Sequence, residues 1–143
     1  MTNLKDMNML PENQWIDVCH LDDITPNTGV GALIAGQSVA LFRVGNEKRI
    51  YALSNKDPFS QANVMARGII GDLQGERVIA SPIYKQHFSL ATGRCLEDKD
   101  QKLSVFPTKI ENGRVWVGTV PQKTYITNNG VFQEKLKLVL IGN

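Results

Sequence analysis

The chain has 143 residues, 42% hydrophobic and 21% charged, enough for one domain with a real core and no need of disulfide staples. Its 16 basic and 14 acidic residues leave a formal charge of +2, which argues against wholesale phosphate binding. No apolar run approaches the roughly 18 residues of a bilayer span, and Met1-Thr-Asn-Leu-Lys-Asp6 lacks the pattern of a secretory signal, so a cytoplasmic protein is expected. In that compartment Cys19 and Cys95 are expected to stay reduced.

Residues 1–13 carry no periodicity and read as a flexible lead-in. From Trp15 to Cys19 the alternation is that of a strand, and Leu21 to Gly29 is a loop of turn formers. Strands follow at 30–35 and 38–44, joined by a tight turn at Gly36-Gln37, with Val39, Leu41 and Arg43 sharing a face. Another strand covers 49–53. Residues 54–74 are irregular, with a helical turn at 62–68 stopped by Gly68 and Gly71. Residues 76–80 and 87–90 are strands, 97–102 a charged link, and 103–110 a strand broken at Pro107. Asn112-Gly113 is the strongest hairpin signal, since a type I′ turn needs positive φ at both central positions, and 114–118 is its return strand. Beyond Pro121 the pattern predicts an appended hairpin, and residues 121–143 form a C-terminal extension to a domain at 14–120. Many short strands without sustained helical periodicity predict an all-β sandwich or partly open barrel of antiparallel strands.

Two proline knuckles dominate the middle of the chain, Asp57-Pro58-Phe59 and Ser81-Pro82-Ile83-Tyr84. Their spacing matches the Cys-x-His and Cys-x-x-His loops by which Rieske domains hold a [2Fe–2S] cluster. The chemistry does not match: Asp57 and Ser81 stand at the thiolate positions, Phe59 and Tyr84 at the imidazole positions. Phenylalanine cannot ligate iron and serine is a poor substitute for a thiolate, so no cluster is expected, with the aromatic rings available to fill its volume. Asp57 and Ser81 are expected to cap backbone N–H groups of their own turns, as are Ser54 and Asn55. Pro58 and Pro82 stiffen the loops.

Together with Ser54-Asn55-Lys56, Arg67-Gly-Ile-Ile-Gly-Asp72, Lys85-Gln-His87-Phe88 and Gly113-Arg-Val-Trp-Val117, these knuckles resemble the small subunit of bacterial assimilatory NAD(P)H-dependent nitrite reductases, a Rieske-like domain without its cluster. The resemblance covers roughly residues 14–119. It implies an accessory role in nitrite reduction to ammonium, with FAD, iron–sulfur and sirohaem centres on a large partner subunit and none on this chain. No catalytic, cofactor-binding or metal-binding residue is expected here. His87, next to the knuckle, reads as a structural or interface residue; His20 and Cys19 as strand-end residues; and His20, Cys19, His87 and Cys95 lack zinc-site spacings. Lys56, Pro58, Phe59, Arg67, Pro82, Tyr84, Lys85 and His87 are the candidate partner interface, with Arg94 a further member of a basic rim. Two other classes stand beside this reading. An electron-transfer ferredoxin is disfavoured by the four missing ligands, and a single-stranded nucleic-acid module by near-neutral charge and 7% aromatic content.

Overall fold

A computed structural model describes residues 14–133 save 46, 48, 128 and 129. It contains twelve strands and two 3₁₀ turns, with no α-helix among the described residues. No helix there is long and apolar enough to cross a membrane.

The centre is an antiparallel sheet of β2 (Thr28–Ile34), β3 (Gln37–Arg43), β4 (Ile50–Ser54) and the short β8 (Val105–Phe106). Its inner strands read Val-Ala-Leu-Phe and Ile-Tyr-Ala-Leu with little polar alternation, because both faces are covered. Val39, Leu41, Ile50 and Ala52 point one way, into a core shared with Val115 and Val117. Ala40, Phe42, Tyr51 and Leu53 point the other way, into a core shared with Met65, Ile79, Phe88 and Leu90. The first core is closed by β1 (Trp15–His20), β10 (Arg114–Gly118) and β9 (Thr108–Glu111), paired in that order. The second is closed by β5 (Ile69–Leu73), β6 (Glu76–Ala80) and β7 (His87–Ser89). The result is a layered stack of open antiparallel sheets, the predicted all-β class, with no barrel closure.

Several boundaries differ from the sequence reading for local reasons. Trp15–Cys19 loses its alternation at a bulge between Asp17 and Cys19, so that Val18 and Cys19 both lie against the first core. The tight turn sits at Ala35-Gly36 rather than Gly36-Gln37, these being the two residues with positive φ. The helical turn shrinks to a 3₁₀ turn at Met65–Arg67, and the two glycines predicted to end it flank or enter an unpredicted strand, β5, paired over its length with β6. Asn112 and Gly113 have φ of 52° and 75°, as the hairpin required. In the extension, β11 (Thr124–Thr127) and β12 (Gly130–Gln133) pair as a separate two-stranded sheet, and Gln122 bridges Val105 just before it. Residues 1–13 and 134–143, which held the lead-in and the end of the expected hairpin, lie outside the described residues.

Cys19 and Cys95 are both free thiols, on opposite sides of the central sheet: Cys19 packs on the first core and Cys95 is buried in the second. Burial pushes both thiols up, away from the thiolate form.

Candidate functional site

The two knuckles leave neighbouring layers at the same end of the molecule. The first continues β4, and the second joins the end of β6 to the start of β7. Asn55, buried, prepares the first. Its backbone N–H donates to Ser38 O (3.0 Å), its side-chain amide donates to Ser38 Oγ (3.1 Å), and its side-chain oxygen accepts from Ala66 N–H (2.7 Å). One residue thus ties β3 to the segment under the knuckle, a larger task than the local cap expected of it.

Asp57 is fully buried. Its Oδ1 accepts from Phe59 N–H at 2.8 Å, closing the turn around Pro58, while its backbone accepts from Gln61 N–H and donates to Ala62 O. Ser81, 1% exposed, opens the second knuckle: its Oγ accepts from Ile83 N–H (3.3 Å), its carbonyl from Lys85 N–H (3.1 Å), and its N–H donates to Gln86 O (3.0 Å). Both residues cap their turns as the sequence predicts. The structure adds that Ser81 Oγ donates to Asp57 Oδ2 at 2.5 Å, so the two caps are bonded to each other across the gap between the knuckles.

The two aromatic positions diverge. Phe59 is half-buried and packs inward on the second core, its ring 6.2 Å from that of Phe88 in a tilted arrangement. Tyr84 turns outward, 59% exposed. Of the two rings only Phe59 packs inward, and the expectation that both serve as filler is corrected for Tyr84.

Of the other candidates, Lys56, Arg67, Pro82 and Lys85 are exposed and Pro58 is half-buried. His87 is engaged locally: Glu97 accepts from its backbone N–H (2.6 Å) and faces its ring Nδ1 (2.9 Å). Partial burial pushes the Glu97 carboxyl up, but the His87 backbone and ring contacts together outweigh it and hold the carboxyl below the usual glutamate range. Arg94 lies on the turn after β7 beside a hollow of about 330 Å³ shared with Thr92 and Lys99, not at the knuckles. His20 caps the 3₁₀ turn Leu21–Asp23, its Nδ1 accepting from Asp22 N–H and its own N–H donating to Asp23. No group of three or more His, Cys, Asp or Glu side chains suited to a metal occurs among the described residues. Sequence reasoning overlooked Ile69 and Ile83, 75% and 44% exposed beside the knuckle. An isoleucine between Pro82 and Tyr84, in a loop of turn formers, was the available signal.

The residues present do not fit a [2Fe–2S] cluster. One iron would need two thiolates, and the positions that should supply them hold a carboxyl and a hydroxyl spent on each other. The other would need two imidazoles, where one ring has no donor atom and the other faces outward.

Comparison with known proteins identifies the fold. A family profile described as a Rieske-like [2Fe-2S] domain matches residues 14–118. The nitrite reductase (NADH) small subunit of Salmonella typhimurium is 43% identical over 103 residues, 72% of this chain and 95% of that protein. The solution structure of the nitrite reductase NAD(P)H small subunit from Erwinia carotovora gives a TM-score of 0.66 at 44% identity, covering 80% of this chain and 88% of its own. A Klebsiella oxytoca nitrite reductase NAD(P)H large subunit is 44% identical over 109 residues, of which this chain spans 76% of itself but only 11% of that protein. Fold and site define a Rieske-like domain whose ligand positions have been refilled. The chain belongs to the nitrite reductase (NADH) small-subunit family.

Proposed function

We propose that this chain is the cluster-free accessory subunit of a cytoplasmic NAD(P)H nitrite reductase, joined to a large subunit that reduces nitrite to ammonium and carries FAD, iron–sulfur and sirohaem. The observation that carries the reading is the 43% identity extending over 95% of a nitrite reductase (NADH) small subunit. The Klebsiella match supports the partnership, because a domain that occurs within a large subunit in one bacterium and as a separate chain in others is suited to contact that subunit. The Asp57–Ser81 bond supports the cluster-free part, since it occupies the side chains that would have to bind iron.

The chain's role is then one of shape and contact, in assembly or positioning. The test is co-purification from nitrite-grown cells with iron analysis of the isolated chain. Recovery of a large sirohaem flavoprotein with no stoichiometric iron on the small chain is expected. A Rieske-type visible spectrum with two irons per chain, the stoichiometry of a [2Fe–2S] centre, would instead make it an electron carrier, in line with its 35% identity to a dioxygenase ferredoxin component from Ralstonia.

A further inference from the structure

Ile69 begins β5, Ala80 ends β6 and His87 begins β7, and Ala80 is the direct cross-strand partner of both the others, so Ile69 stands level with the base of the second knuckle. Gly68 packs against the Ala80 carbonyl, where a Cβ would come within 2.3 Å of the oxygen, which brings Arg67 to the same end. Ile69, Ile83 and Tyr84 therefore present apolar surface there at 75%, 44% and 59% exposure. Grouped exposed side chains of this size mark contact surfaces, whereas scattered ones do not.

The charges around them are one-sided. Arg67, Lys85 and Lys56 are exposed and have no ion-pair partner among the described residues. Elsewhere Arg77 pairs with Glu47 and Arg114 with Asp17. The acidic groups at the knuckles are already engaged, Asp57 by Ser81 and Glu97 by His87. What remains is an apolar centre with a cationic rim, on loops fixed by a buried cross-link.

We infer that this face, centred on Ile83 and Tyr84 and rimmed by Arg67, Lys85 and Lys56, is where the large subunit docks, through an apolar hollow bordered by carboxylates. The inference rests on the small-subunit reading. Its occupant is chosen by charge: an acidic protein surface mates with the unpaired cations, while a second copy would oppose like charges across the same face.

The test is binding of the purified full-length large subunit to the intact chain, for the wild type, Ile83→Asp, Arg67→Glu/Lys85→Glu, and Glu76→Lys at the opposite end of β6. Thermal melting confirms that each variant is folded. Affinity falls by about tenfold or more in the first two variants, as for hot-spot residues, and changes less than about twofold in the last. Wild-type binding weakens with added salt, and this dependence is reduced in the charge-reversal variant. Full binding by Ile83→Asp and Arg67→Glu/Lys85→Glu overturns the docking face and leaves the subunit assignment intact. No binding by the wild type overturns the assignment, and the docking face with it. A wild-type dimer that Ile83→Asp dissociates, with large-subunit binding unchanged, gives the face to a second copy and overturns the inference.

Discussion

Ser81 Oγ donates to Asp57 Oδ2 across 2.5 Å, joining two knuckles 24 residues apart at the point where a Rieske domain holds its metal. Both residues are buried and each also holds its own turn, so one bond couples two loop conformations. A cluster would tie the loops through iron; here a hydroxyl and a carboxyl tie them directly.

Loss of either partner leaves a buried polar group unsatisfied. Ser81→Ala is expected to destabilise the fold by about 1–3 kcal/mol, and Asp57→Ala by more, because Phe59 N–H loses its acceptor too. In urea unfolding the double variant should be less destabilised than the sum of the singles, by about 0.5–3 kcal/mol. Strict additivity would show that the bond carries no coupling.

Phe59 and Tyr84 occupy equivalent ligand positions and do different things. Phe59→Ala is expected to lose about 1–3 kcal/mol of packing on Phe88 and the second core. Tyr84→Ala, at an exposed site, should stay within about 0.5 kcal/mol of wild type. Denaturant midpoints with equal slopes decide the matter, and a reversed order would mean that Tyr84 fills the old site.

Gly93 closes the Thr92-Gly93 turn with φ of +78°, and a Cβ there would lie 2.0 Å from the Leu103 carbonyl oxygen. Gly93→Ala therefore carries both backbone strain and a clash with a backbone carbonyl that cannot swing aside as a flexible side-chain end could. A loss of at least about 1–3 kcal/mol is expected. Gly36→Ala, with positive φ but open space around it, should be milder in the same thermal melts.

The Glu97 carboxyl is held below its ordinary range by His87, against the opposing effect of its partial burial, so its contribution is present above the unfolded pKa of about 4.3 and lost as pH falls through the lower folded value. Wild type should be more stable than Glu97→Gln at neutral pH, and the gap should shrink as pH drops below about 4.3. Both side chains are partly exposed, so the effect is small and screened by salt. A gap that widens on acidification below that pH would contradict the assignment.

The knuckle spacing, the Asn112-Gly113 hairpin and the all-β class were legible in the sequence because each rests on local chemistry: fixed proline φ, positive φ at a turn, and strand alternation. Strand β5 was not, because Gly68 and Gly71 read as breakers, and pairing with β6 makes Ile69–Leu73 a strand in spite of them. The loss of the four ligands was equally visible, since ligand identity is a property of residue type.

What the sequence could not decide is where those four side chains go. Asp57 and Ser81 each look like a local cap, and only the approach of β6 to the end of β4 bonds them to each other. Phe59 and Tyr84 are both aromatic, yet one turns into the core and the other to the surface. Local sequence thus determined that the metal grip had lost its metal chemistry. The stacking of three sheets, a long-range outcome of burying both faces of β3 and β4, determined that it became a hydrogen-bonded clasp beneath an exposed apolar tip.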